Sequence, residues 1–87
     1  MAYRISVFGR VQGVGFRYFV LRNAQALDVK GFVKNQPDGS VLCEAEGEQI
    51  VLEQFADLCR QGTARAIVTD YTIDVTPECG YNDFKIR

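Results

Sequence analysis

Along the chain the spacing of apolar side chains switches from period two to about 3.6 and back again, twice, and that order leaves few ways to build a core. Tyr3, Ile5 and Val7 alternate with Arg4, Ser6 and Phe8, so residues 3–8 read as a strand with one face well buried. Residues 9–17 carry three glycines in the run Gly9-Arg10-Val11-Gln12-Gly13-Val14-Gly15-Phe16-Arg17 and read as a loop. Phe16, Phe19, Val20, Ala24 and Leu27 then recur at helical spacing, which predicts an amphipathic helix over 16–27, with Asp28 as a tolerable left-handed stop. Residues 30–36 and 40–46 predict two strands joined by Gln36-Pro37-Asp38-Gly39, in which proline presets φ and glycine accepts a positive one. Residues 48–61 read as a second helix with Val51, Phe55, Leu58 and Cys59 on one face and Gly62 as its stop. A long β-branched stretch over 66–75 and a short one carrying Phe84 and Ile86 complete the chain.

The order is therefore βαββαβ plus a short C-terminal strand. Two helices separated by a hairpin bury their apolar stripes best on one face of a mostly antiparallel sheet, an α+β, ferredoxin-like α/β sandwich. No repeat, linker or low-complexity stretch interrupts it, so residues 1–87 are expected to form a single domain. That arrangement hosts many unrelated functions and fixes fold class only.

Charge and residue usage then remove whole classes of chemistry. The net charge is −1, which gives no long-range attraction to nucleic acid or anionic membrane, so any bound anion must be held by a local set of donors. There is no histidine, which excludes imidazole bases and phosphohistidine intermediates. Cys43, Cys59 and Cys79 match no zinc spacing and cannot all pair within one chain; reduced thiols in a cytoplasmic protein are expected, with Cys43 and Cys59 in the core and Cys79 exposed. No leader peptide and no apolar run of membrane-spanning length is apparent.

The loop between the first strand and the first helix carries the most chemical information. It ends where unpaired N–H groups and the helix dipole favour an anion. Gly13 and Gly15 let successive N–H groups point inward without Cβ crowding, and Arg17 can offer a planar, bidentate guanidinium to the same point. The residues alone fit equally a glycine-rich turn with a surface arginine. Asn35, at the end of the second strand, reads first from its spacing as a cap on the Pro-Asp-Gly turn; its amide would also suit the holding of a water molecule.

Residues 9–17, Gly9-Arg10-Val11-Gln12-Gly13-Val14-Gly15-Phe16-Arg17, resemble the first signature of the acylphosphatase family. Gly31-Phe32-Val33-Lys34-Asn35, followed by Asp38-Gly39-Ser40-Val41 and Gly47, resembles the second. Ala66 and Val68 after Gly62, with Phe84 and Ile86, are similar to weaker family positions, so the likeness covers essentially the whole chain. Thr63 stands where a proline often follows the glycine, and Asp28 where a glycine often ends the first helix. The resemblance implies an enzyme that hydrolyses the carboxyl–phosphate bond of small acyl phosphates. It implies that backbone N–H groups of Gln12, Gly13, Val14, Gly15, Phe16 and Arg17 cradle the phosphate, that Arg17 completes the grip, and that Asn35 positions the attacking water. It implies no cofactor, no metal, no nucleic-acid or membrane partner, a monomer, and inorganic phosphate as a product that inhibits.

Three competing readings have residues behind them. Cys59-Arg60-Gln61-Gly62-Thr63-Ala64-Arg65 matches the literal cysteine-phosphatase pattern Cys-x-x-Gly-x-x-Arg, but the cysteine falls on a helix and the arginine enters a strand, the reverse of what that chemistry needs. Lys30-Gly31-Phe32-Val33 resembles an RNA-recognition strand, yet it lies on the second strand and comes with no basic surplus. The chain also resembles the acylphosphatase-like module of larger carbamoyl-transfer proteins; its length of 87 residues favours the free enzyme.

Overall fold

The computed structural model describes residues 1–87. Its elements are β1 (Ala2–Arg10), α1 (Phe16–Ala26), β2 (Lys30–Asn35), β3 (Val41–Glu46), α2 (Gln49–Gln61), β4 (Ile67–Thr76) and β5 (Phe84–Ile86). The strands form one sheet in the order β4-β1-β3-β2-β5, antiparallel throughout except for the parallel pair β2–β5. This is the expected ferredoxin-like α+β arrangement.

The period-two alternation does what it promised. Tyr3, Ile5 and Val7 face Ala45, Cys43 and Val41 across the β1–β3 ladder, and Val33 faces Cys43 across β2–β3, so one face of the sheet is a continuous apolar surface. The helices lie on it. Phe16, Val20 and Ala24 of α1, spaced at i, i+4 and i+8, are buried there with Leu52, Phe55, Ala56 and Cys59 of α2. The buried stripe of α2 is centred one residue away from the expected one: Leu52 and Ala56 go inside, while Val51 and Leu58 are half-buried at its margins. Asp28 closes the first helix at φ 56, and Gly62 the second at φ 66, as expected. Neither helix is long and apolar enough to cross a membrane.

Most differences from the expected bounds are one residue at an end, but the first strand departs further. It continues through Gly9 and Arg10, which pair with Val68 and Ile67 after a register shift at Phe8/Gly9. Gly9 adopts φ 121 so close to β4 that a Cβ on it would stand 2.1 Å from the Ile67 carbonyl oxygen; the first glycine of the motif therefore serves strand pairing, not the loop. The long β-branched strand β4 is an edge, with Ile67, Tyr71, Ile73 and Val75 exposed.

On the opposite face of the sheet, the segment before β5 is tied down by one carboxylate. Glu46, only 8% exposed, accepts hydrogen bonds from the backbone N–H groups of Cys79, Gly80 (3.1 Å) and Tyr81 (2.9 Å). The Tyr81 hydroxyl donates to Glu44 at 2.8 Å, its ring meets Phe32 edge-on at 6.0 Å, and the Arg87 guanidinium covers Phe32 at 4.3 Å. Burial raises the Glu46 pKa, but the three N–H donors favour the ionised form more and hold it below the ordinary range. Burial, and then the hydrogen bond that its hydroxyl donates to Glu44, raise the Tyr81 phenol pKa well above its usual value.

A carboxylate with a depressed folded-state pKa stabilises the fold above its unfolded pKa, and that contribution is lost as pH falls through the folded value. Glu46→Gln should therefore cost roughly 1.5–3 kcal/mol near neutral pH, the worth of charge-assisted hydrogen bonds. The gap from the unaltered chain should close as pH falls below the ordinary glutamate range. Urea unfolding of both proteins across that range checks it; a gap that stays constant down to acid pH refutes the role of the charge.

Candidate active site

The strand-to-helix connection after Arg10 leaves the sheet and turns back into α1 through two left-handed glycines, Gly13 (φ 73) and Gly15 (φ 76). Nothing within 4 Å would obstruct a Cβ at either, so the demand for glycine there is conformational. Gly15 is the N-cap of α1 and supplies no side-chain acceptor, and the first turn contains no acidic residue. The first intrahelical bond is Phe19 N–H to the Gly15 carbonyl at 3.1 Å. The backbone N–H groups of residues 12–18 donate to no acceptor in the protein. A helix end in which every early donor lacks a cap presents the kind of unpaired N–H array that favours an anion.

Two side chains hold this loop in shape, and sequence reasoning missed both roles. Gln12 sends its amide nitrogen to the carbonyls of Gln36 (2.8 Å) and Ser40 (2.9 Å), clamping the loop to the β2–β3 turn. That turn is itself closed by Gln36 N–H to the Ser40 carbonyl (2.8 Å) and by Asp38, whose carboxylate accepts from the Ser40 hydroxyl (2.6 Å) and N–H (2.9 Å). The Ser40 hydroxyl, and then its N–H, hold the Asp38 pKa below its ordinary value. On the other side, the Thr63 hydroxyl donates to the Val14 carbonyl at 3.2 Å. Because the peptide unit is planar and trans, this turns the Gly15 N–H of the same unit away from Thr63. The signal in sequence was present only in part: Gln12 sat inside the motif as a backbone donor, and Thr63 registered as a departure from the family pattern.

A cleft of about 90 Å³ opens at the loop, lined by Val11, Gly13, Gly15, Phe16, Arg17, Tyr18 and Asn35. Arg17 and Asn35 thus line one cavity, although 18 positions separate them in the chain (35 − 17). The β-ladder is responsible for the second. Asn35 pairs with Val41, so it lies on the helix-covered face at the very end of β2. Its amide oxygen is buried and accepts no hydrogen bond from the protein, which is not how a turn cap behaves. Arg17 is half-buried and makes neither an ion pair nor a hydrogen bond with any protein group. Gln12 and Val14, expected with the cradle, do not line this cleft: Gln12 faces the turn it clamps, and Val14 lines a wider groove next door.

No Asp, Glu, Cys or His lines the cleft, so its polar groups are N–H donors, one guanidinium, one amide and the Tyr18 phenol. The cysteine-phosphatase reading finds no support in this geometry. Cys59 is 1% exposed on the core side of α2, and burial pushes the thiol of its neighbour Cys43 well up, the opposite of activation. Phe32 is likewise engaged by Tyr81 and Arg87 and is not available as a base-stacking platform.

Comparison with known proteins agrees with this picture. The acylphosphatase family profile matches residues 3–86. The acylphosphatase of Thermotoga maritima is 46% identical over 86 residues, spanning 99% of this chain and 96% of its own length. The crystal structure of acylphosphatase from Bacillus subtilis superposes with a TM-score of 0.95 at 41% identity, covering 99% of this chain and 97% of that one. Full-length HypF, in its phosphate- and nucleotide-bound form, contains a similar region: TM-score 0.89 and 32% identity over 99% of this chain but 11% of that protein. With the profile, the relatives and the fold in agreement over almost every residue, the chain belongs to the acylphosphatase family, hydrolases that act on acid anhydrides.

Proposed function

We propose that residues 1–87 act as one catalytic unit that hydrolyses acyl phosphates to a carboxylate and inorganic phosphate, with Arg17 and the N–H groups of the 12–17 loop holding the phosphoryl group and Asn35 holding the water. The observation that carries the reading is the convergence on one small cleft of three kinds of unsatisfied group: backbone donors, an unpaired guanidinium and a buried amide oxygen.

Each group has a task in that reaction. The phosphoryl oxygens accept from the loop N–H groups and from the Arg17 fork, which neutralise charge that spreads over those oxygens as the P–O bond lengthens. A water that donates one hydrogen to Asn35 Oδ1 has its lone pair free to approach phosphorus from the side opposite the acyl oxygen. The new P–O bond forms as the bond to the acyl oxygen breaks, and that electron pair leaves as a carboxylate, which needs no general acid at neutral pH. The water's proton passes to a phosphate oxygen, since no carboxylate, thiol or imidazole lines the cleft.

Arg17→Gln should lower kcat/KM for benzoyl phosphate by about a hundredfold to a thousandfold, as loss of a transition-state donor does. Arg17→Lys should recover little, because a point charge cannot reproduce the planar fork. Steady-state kinetics decide it, and near-normal kcat/KM in the lysine variant removes Arg17 from the assignment.

Asn35→Ala should separate binding from turnover. Phosphate, as a competitive inhibitor, should bind with nearly its original constant while kcat collapses, because only the water has lost its partner. Equal losses in inhibition constant and kcat would move Asn35 into the anion site.

The rate should be flat across neutral pH, because the chain has no histidine and the cleft no carboxylate or thiol. Activity should also survive dialysis against EDTA, since the proposed route needs no Lewis acid at the phosphoryl group. A pH–rate profile bell-shaped around neutrality, or loss in EDTA reversed by magnesium or zinc, overturns this scheme.

A further inference from the structure

Beside the phosphoryl cleft, and sharing Gly15 and Tyr18 with it, runs a groove of about 620 Å³ whose walls include Phe19, Arg22, Asn23 and Thr63. It is far larger than the cleft of about 90 Å³ and opens from the same loop, so a phosphoryl group seated on the loop has room for its acyl substituent in the groove. The polar groups of the groove are unequal. The Thr63 hydroxyl is committed to the Val14 carbonyl, and the Asn23 amide nitrogen donates back to the Phe19 carbonyl at 2.8 Å. Arg22 is different: it is exposed and makes no ion pair and no hydrogen bond with the protein. No acidic residue lines the groove or the cleft.

Helix geometry sets what lies between. Tyr18 and Arg22 stand at i and i+4 on α1, so both leave the same helical face, and both line the groove. Arg17 and Arg22 are five residues apart, a rise of about 7.5 Å along the axis. A ligand laid along α1 from the loop would meet the phosphoryl donors first, the Tyr18 and Phe19 rings next, and a free guanidinium last.

We infer that the groove selects acyl phosphates whose acyl group carries a second negative charge at its far end, with an apolar spacer against Tyr18 and Phe19 and the terminal anion on Arg22. The inference rests on the phosphoryl site proposed above and adds the class of acyl group. Arg22 is here a specificity-determining residue: it touches the remote end of the substrate and not the reacting atoms. Guanidinium groups bind carboxylate and phosphate in the same forked manner, so either terminal anion satisfies the chemistry.

The test compares benzoyl phosphate with its para-carboxylated analogue, in which a rigid ring keeps the second anion away from the reacting bond and prevents self-cleavage. The quantity read is the ratio of kcat/KM for the two substrates, which cancels any loss that a variant imposes on both. At low ionic strength the unaltered chain should favour the carboxylated substrate. In Arg22→Gln the ratio should fall about five- to tenfold, in line with loss of one charge-assisted contact at a partly exposed site. Arg22→Lys should keep part of the preference, and added salt should shrink it in that variant and in the unaltered chain while leaving Arg22→Gln nearly unchanged. A ratio indifferent to Arg22, with benzoyl phosphate still hydrolysed, overturns this inference and leaves the phosphoryl site standing. Failure of the unaltered chain to hydrolyse benzoyl phosphate overturns both. A parallel pair of alkyl acyl phosphates, one ending in a phosphate ester and one in a methyl group, distinguishes a phosphate terminus from a carboxylate.

Discussion

A row of backbone N–H groups with no acceptor inside the protein is the constraint on which the rest of this molecule depends. Donors left unpaired at the mouth of a core carry a free-energy cost unless solvent or a ligand takes them, and here they span residues 12–18 without a break. Two left-handed glycines make that geometry accessible, and the absence of a capping side chain keeps it open. What prevents the loop from relaxing into a more comfortable shape is its pair of tethers. Gln12 fastens its start to the β2–β3 turn, and Thr63 fastens the Val14 carbonyl to the segment after α2. Donors pre-organised in this way interact strongly with developing charge in general, because nothing has to reorient.

The tethers also explain how two distant parts of the chain are held in register. Asn35 is the last residue of β2, and the turn that Gln12 grips begins at the next position. One amide side chain thereby couples the glycine loop to the strand end that carries Asn35. The electrostatics are as local as the geometry. The chain as a whole is slightly negative, yet the cleft and its adjoining groove are lined by two guanidinium groups and no carboxylate. The positive charge of this region is therefore local to α1 and is not a feature of the surface at large.

The remainder of the fold supports that end without taking part. Glu46 and Glu44 pin the segment before β5 over the outer face, and Phe32, Tyr81 and Arg87 form a small aromatic and cationic layer there. At the opposite edge, β4 presents Ile67, Tyr71, Ile73 and Val75 to solvent on a strand paired with β1 on one side only. Asp70 and Asp74 interrupt that apolar run, as edge strands require if they are not to pair with one another. The bulge at Phe8/Gly9 adds a local twist just before the loop, so the same edge that needs protection also aims the chain toward the site.

Periodicity alone determined the elements: alternation fixed the strands, the i, i+4 recurrence of Phe16, Val20 and Ala24 fixed α1, and left-handed stops at Asp28 and Gly62 fell where the residues put them. The glycine-rich run and its arginine were legible too, because a local backbone conformation and its donors depend on neighbours in the chain. Other features were not, since they depend on contacts between residues far apart in sequence. The buried face of α2 was displaced by one residue because the sheet, not the helix, decides which stripe goes inside. Gly9 belonged to the ladder and not the loop because β4 lies 2.1 Å from where its Cβ would be. Asn35 read as a turn cap until the β2–β3 register put it on the helix-covered face with an unpaired buried oxygen. Short-range preferences are written residue by residue, whereas the partners of Gln12 and Thr63, and the lack of partners at the Asn35 amide oxygen and at Arg22, are set by packing across the whole chain.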